Sequence, residues 1–369
     1  MLLNYIIYTH SLCTFAGNFY RMIKNNPHKQ IIYWLLTGCV LVYVMLVVGC
    51  ITRLTHSGLS ITDWSVMGVV PPLNEQSWMD HFTRYQQSPE FKIINSSMQL
   101  DEYKNIFWWE WTHRFIGMFT GLVFGAGFVY FFVTKKFTPK ILFRSLILVG
   151  VGALQGLVGW WMVKSGLVKN PNVSHYRLAI HLITALTAFA FTFWFALEII
   201  YEKPIEKQEV NSGKKLFTLT LITFAALIFQ VIFGAFVAGL KAGLIYPTWP
   251  KMADSWFPDD TILISNSFIY NFTANPAGVQ FVHRTFAWVV VVLIVGIWMR
   301  SNKLQLSKPQ YQGVTWLVYL TTLQVLLGIF TLLYMVPVLL GVLHQTIAFM
   351  LVATFLFLLF HFSRKSNLL

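Results

Sequence analysis

Charge is scarce in this chain. Of its 369 residues only 11% are charged and 56% are hydrophobic, and the mean hydropathy is +0.60. Soluble globular domains carry about 25% charged residues, so that class is excluded. Cysteine is scarcer still, with Cys13, Cys39 and Cys50 only. So few, so scattered, cannot make a disulfide framework. Cys39 and Cys50 fall in an apolar run and are expected to pack as small hydrophobes. Residues 1–30 are weakly basic and amphipathic and hold no clear signal-peptide cleavage site, so they read as an N-terminal cytoplasmic extension. What the chain has in abundance is long apolar runs.

A membrane-spanning helix needs roughly 20 mainly apolar residues. Eight segments qualify: 31–52, 115–133, 141–163, 178–200, 216–240, 281–299, 314–335 and 338–362. The fold class expected is therefore all-α, a polytopic membrane protein. The loops carry an uneven charge. The face holding both termini has 16 Lys and Arg against four acids, and the other face has 11 against ten. An excess of 12 on one face and 1 on the other accounts for the whole net charge of +13. The positive-inside rule then places both termini in the cytoplasm. A basic balance of this kind is topological and calls for no nucleic acid.

The chain nearly repeats itself. "GLSITDWSVM" (58–67) aligns with "GLIYPTWPKM" (243–252), "EWTHRFIG" (110–117) with "QFVHRTFA" (280–287), "LQGLVG" (154–159) with "LQVLLG" (323–328), and "LAIHLITA" (178–185) with "GVLHQTIA" (341–348). With an even number of spans in each half the repeats run parallel, related by a pseudo-two-fold axis along the membrane normal. The halves are expected at 31–200 and 216–369, joined by a polar cytoplasmic linker at 201–215.

Of ten histidines, four occupy matched positions: His113 and His181 in the first half, His283 and His344 in the second. A lone histidine near a helix end is more often structural than a ligand. Four at repeat-related positions are a different observation. Imidazole suits iron, zinc and copper. No cysteine or acid cluster completes a tetrahedral zinc site, so two histidines per half favour a haem gripped from both faces. The residue four places after each histidine is small (Gly117, Ala185, Ala287 and Ala348), which clears the same helix face for a flat macrocycle or allows ordinary close helix packing. His10, His28, His56, His81, His175 and His361 have no repeat counterpart.

Glu110 precedes His113 by three residues, on the same helix face, whereas Gln280 stands before His283. Only the first half therefore keeps an ionisable acid beside its histidines. That asymmetry points to a reaction in the first half and electron transfer in the second; simple pairing of Glu110 with Arg114 is the plainer account. Arg114 and Arg284 follow their histidines directly and fit either haem propionates or interfacial anchoring. The outer loops 53–112 and 241–280 are too long and too apolar for plain connectors and are expected to fold as lids. Lys164 is expected to snorkel to the outer surface.

Taken together, "TRLTHSGLSITDW", "EFKIINSSMQLDEYKNIFWWEWTHR", "GLVGWWMVKSGL", "VSHYRLAIHL", "GAFVAGLKAGLIYPTWPKM", "NPAGVQFVHR" and "LHQTIAF" resemble the haem A synthase family over roughly 31–362, in its alphaproteobacterial and mitochondrial form. The resemblance implies an eight-helix bundle that oxidises the C8 methyl of haem O to a formyl group, by two successive hydroxylations and loss of water. One version of this chemistry lets water attack a carbocation. It implies haem b on His283 and His344, substrate haem O near His113 and His181, and Glu110 as the catalytic acid group. Another branch of the family carries a cysteine pair in its outer loops, which this chain lacks. Candidate partners are haem O, a haem O synthase, cytochrome oxidase assembly factors, the lipid bilayer and a further copy of the chain. The location implied is a bacterial inner membrane rather than a mitochondrial one. Two other classes compete. A bis-histidine cytochrome b confined to electron transfer explains the histidines but leaves Glu110 and Gln280 unexplained. A transporter built on parallel repeats would need polar or broken helices at mid-membrane depth.

Overall fold

The computed structural model describes residues 17, 19–63, 70–168, 171–201 and 207–364, without the side chains of 207–210. Most of the expected N-terminal extension, including Cys13, lies outside the described residues, as do Trp64 and the linker residues 202–206. Eight helices are long and apolar enough to cross a membrane. In chain order they are α1 (Lys29–Leu54), α4 (Leu100–Val133), α5 (Pro139–Lys164), α6 (His175–Ile200), α7 (Lys207–Gly239), α10 (Pro276–Ser301), α11 (Lys308–Leu333) and α12 (Val338–Ser363). Four short helices lie in the two long loops that follow α1 and α7: α2 (Glu75–Gln86), α3 (Pro89–Ile93), α8 (Asp259–Ile262) and α9 (Phe268–Thr273). No strand occurs among the described residues; Met252 and Ser255 form one isolated bridge.

Local sequence fixes the helix ends. Thr138 and Ser174 cap α5 and α6 with their hydroxyls, and Asn275 caps α10 with its side-chain oxygen. Proline opens α5, α10 and α11, where its missing N–H costs nothing. The departure from expectation is α4. Its 34 residues, about 51 Å at 1.5 Å per residue, begin 15 residues before the span read from hydropathy. A capping box starts it, with the Glu102 carboxylate accepting from the Gln99 N–H at 2.9 Å. About four turns thus stand outside the apolar run. Glu110 and His113 consequently lie well inside a helix rather than at its mouth.

The packing order repeats. In the first half α1 packs on both α4 and α6, and α5 on α6 and, less extensively, on α4. In the second, α7 packs on α10 and α12, and α11 on both. The histidine-bearing helices, α4 with α6 and α10 with α12, therefore sit diagonally across each four-helix ring. The halves meet through α6 on α7, α12 on α1 and α12 on α6. This is the pairing a two-fold axis between α6 and α12 requires. The largest buried cluster lies along that seam, with Leu186, Phe189, Phe349, Val352 and Phe355. Large apolar side chains such as Leu122, Phe132, Phe143 and Val292 point outward. In lipid the backbone must satisfy its own hydrogen bonds, and the continuous helices do so.

The first lid folds over the bundle. Ile61, Phe82, Tyr85, Tyr103 and Phe107 form a separate buried cluster joining α2 to the protruding turns of α4. The repeat extends to backbone detail: His56, just after α1, and Lys241, just after α7, stand 185 residues apart and both turn the chain with positive φ, 55° and 53°.

Candidate functional site

The four matched histidines come together in two pairs. His113 and His181 are within electrostatic reach of one another, as are His283 and His344. Each ring is partly buried and lies against a glycine of the neighbouring helix. A Cβ at Gly49 would stand 3.1 Å from His113, at Gly159 3.0 Å from His181, at Gly234 3.2 Å from His283, and at Gly328 3.0 Å from His344. Gly49 and Gly234 are repeat counterparts, as are Gly159 and Gly328. Real Cβ atoms rarely approach other groups so closely, so glycine lets each imidazole back directly onto a helix. Gly117, one of the small residues expected to give clearance, faces α1, where the Met45 methyl would lie 3.3 Å from a Cβ.

Glutamines lie beside three of the rings. Gln155 Nε2 lies 3.2 Å from His181 Nδ1, Gln230 Nε2 3.1 Å from His283 Nδ1, and Gln324 Nε2 3.2 Å from His344 Nε2. Gln230 also donates to the His283 carbonyl at 2.8 Å. The sequence contained this signal: Gln155 and Gln324 open the repeated "LQ" motifs. Their meaning appears only when α5 and α11 are seen against the histidines.

Glu110 is 3% exposed and its carboxylate is fully engaged. Oε1 accepts from Arg114 Nη2 at 2.5 Å and Nε at 3.0 Å. Oε2 accepts from the Ser60 hydroxyl at 2.7 Å and the Ile61 N–H at 2.9 Å. Arg114 continues to the carbonyls of Ile61 and Asp63, both at 2.9 Å. Acid and arginine together fasten the start of the first lid. In the second half Gln280 donates to the Tyr246 carbonyl at 3.1 Å, and Arg284 donates to the carbonyls of Thr248, Pro250 and Lys251. Tyr246 is the repeat counterpart of Ile61, and Thr248 that of Asp63. Both arginines are thus lid staples. Arg284 Nη1 is nonetheless buried with no partner among the described residues. The Lys164 ammonium lies over the Trp160 ring, 4.9 Å from its centroid, a cation–π contact.

A second acid sits deeper in the lid. Glu90 is buried and accepts from the Tyr85 hydroxyl at 3.1 Å, while Asn95 donates to the same phenol at 2.7 Å. Burial pushes the Glu90 carboxyl up to about 7, partly offset by the Tyr85 hydrogen bond. No motif or repeat marks it in the sequence.

Among the described residues no three His, Cys, Asp or Glu side chains gather as a metal site. Two imidazoles facing each other across a ring of four helices are the donor set of a bis-histidine haem. The second half fits that group in further ways. Among the described residues His344 Nδ1 and the amide oxygens of Gln230 and Gln324 are buried without partners, and Arg284 Nη1 is a buried donor with none, suited to a carboxylate.

These features define a class, an eight-helix membrane protein with two partly buried histidines brought together in each half. The chain belongs to the COX15-CtaA family, described as cytochrome oxidase assembly protein, whose profile matches residues 32–356. It is 46% identical over 347 residues to a heme A synthase of Flavobacterium johnsoniae, covering 93% of this chain and 100% of that one. A heme A synthase of Flavobacterium psychrophilum is 48% identical over 346 residues, with the same coverage. The heme A synthase COX15 of Saccharomyces cerevisiae is 40% identical over 351 residues, covering 86% of this chain and 72% of its own.

Proposed function

We propose that the two halves of this protein divide the making of haem A between them, with the reaction in the first half and electron transfer in the second. The protein is an oxidoreductase of the membrane that converts haem O to haem A, raising the C8 methyl to a formyl group. The observation that carries the division is the acid–amide difference at one repeat position, Glu110 against Gln280, beside otherwise matched histidine pairs.

In this reading His113 and His181 hold the substrate haem O. Their glycine backings fix the imidazoles from behind, and the first lid screens the site from water. Glu110 is pre-organised: four donors hold its carboxylate before any substrate arrives, so its field needs no rearrangement during reaction. Its charge is shared with Arg114, which moderates what it contributes to a developing positive centre. His283 and His344 would hold haem b, with Arg284 Nη1 toward a propionate. Haem b held there supplies a one-electron carrier. Both termini lie on the cytoplasmic face of a bacterial inner membrane, in keeping with the loop charges. A haem O synthase upstream and oxidase assembly factors downstream are the expected partners.

Co-expression with a haem O synthase, followed by chromatography of the extracted haems, tests the activity. Haem A should appear only when this chain is present. Haem b alone, with haem O left unconverted, would return the protein to the electron-transfer class.

A further inference from the structure

The seam between the halves carries a hydrogen bond that the repeat does not duplicate. Gln345, next to His344 on α12, donates from Nε2 to the Leu46 carbonyl of α1 at 3.0 Å. The contacts on either side of it are apolar. The Phe349 ring centroid lies 5.4 Å from that of Tyr43, and a Cβ at Gly341 would stand 2.8 Å from Leu54. The residue next to His181 is Leu182, the repeat counterpart of Gln345, and it packs with Phe233 and Ala235 of α7. So α12 grips α1 through a polar group, whereas the matching place between α6 and α7 is apolar.

Leu46 opens the helical turn that ends at Cys50 and contains Gly49. His113 rests on that glycine, its Nε2 3.1 Å from where a Cβ would be. With no side chain between, the ring bears on the α1 backbone itself, and a shift of α1 reaches it undamped. In lipid, helices gain nothing hydrophobic by associating, so packing and interhelical hydrogen bonds set their register. An apolar seam tolerates sliding along the helix axis; a donor aimed at one carbonyl does not. The carbonyl can accept it because its oxygen has two lone pairs and the helix uses one. We propose that Gln345 is a positioning residue for the first-half site: from the second half it fixes the 46–50 turn of α1, and thereby the ring of His113, although its chain neighbour is His344. This rests on the reading that both histidine pairs ligate haem, with His113 at the substrate.

The test uses Gln345→Leu, the residue the other half carries at this place, and Gln345→Met, which keeps the length without a donor. Both are made in the full-length protein, purified from cells supplying haem O. The low-spin signals of the two haems, the haem b midpoint potential, and KM and kcat for haem A formation are measured. Both variants should keep haem b with its wild-type signal and potential. The first-half low-spin signal should shift, and kcat should fall about 3-fold or more, the weight of an average hydrogen bond between membrane helices, with KM little changed. Gln345→Glu can donate to the same carbonyl while its carboxyl is protonated. At acidic pH it should recover the rate relative to wild type at the same pH, which a space-filling role would not produce. A wild-type first-half signal and kcat in both apolar variants would overturn the proposal. So would a changed haem b signal, which would make Gln345 a support of its neighbour His344, or a rate that Gln345→Glu leaves as low as Gln345→Met does. Failure of the underlying reading looks different: His113→Ala would then leave the first-half low-spin signal in place.

Discussion

Helices α4 and α10 carry the same His-Arg pair, yet three residues earlier one has Glu110 and the other Gln280. The lid opposite has changed in concert. Glu110 meets an N–H, that of Ile61, where Gln280 meets a carbonyl, that of Tyr246. A carboxylate only accepts, and an amide can donate, so each side chain suits its own lid and not the other's. The comparison corrects an inference the sequence invites. Because Gln280 fits its position, an amide would be expected to fit at 110 as well. In the folded protein it would turn an N–H₂ toward either the Arg114 guanidinium or the Ile61 and Ser60 donors. The two halves share a scaffold but not interchangeable parts.

Four predictions bear on that comparison. The largest effect is expected at the glycine backings. Gly234→Val or Gly328→Val should expel haem b, because the first added carbon already falls 3.0–3.2 Å from the ring and valine adds two more. Gly49→Val and Gly159→Val should leave haem b in place and abolish haem A. Reduced-minus-oxidised spectra and haem extraction read both. Haem b lost equally from all four variants would mean the halves are not separate sites.

Glu110→Gln comes next. Breaking a buried ion pair strands Arg114, at a cost on the order of 3 kcal/mol. Proteolysis of the 55–99 lid should accelerate, haem b should remain, and haem A should fall. Ser60→Ala loosens the same lid by about 2 kcal/mol while keeping the carboxylate. If turnover tracks lid protection across both variants, Glu110 acts by docking. If Ser60→Ala turns over normally and Glu110→Gln does not, the charge acts on the substrate directly.

A smaller effect concerns Glu90, in the first lid only. Its carboxyl, raised from 4.5 to about 7, binds a proton more tightly in the folded lid than in an open one. That contribution is complete below about pH 4.5 and is lost as pH rises toward 7, amounting to about 3 kcal/mol in all. Hydrogen exchange over residues 75–99 should therefore quicken between pH 5 and 8. His81, lowered by burial, works in the opposite sense, so the quantity to read is the difference between the wild type and Glu90→Gln. Identical pH profiles for the two would remove Glu90 from lid stability.

Much of this was legible in the sequence. Eight spans, a parallel repeat and four matched histidines follow from apolar run length and spacing, which are local and periodic. The protruding turns of α4 were missed because "LDEYKNIFWWEW" mixes polar and apolar residues as a lid would, and its helical signal was a capping box rather than hydropathy. The roles of Gly159 and Gly328 escaped although their motifs aligned, since what a glycine faces is set by the neighbouring helix.

The central claim is that His113 and His181 serve the substrate while His283 and His344 serve a resident haem. Its most direct test purifies His113→Ala and His283→Ala from cells supplying haem O and compares their bound haems by spectroscopy and chromatography. The account predicts that His113→Ala keeps low-spin haem b and makes no haem A, and that His283→Ala loses the haem b signal. Haem b lost from His113→Ala and retained in His283→Ala would reverse the halves and contradict the account.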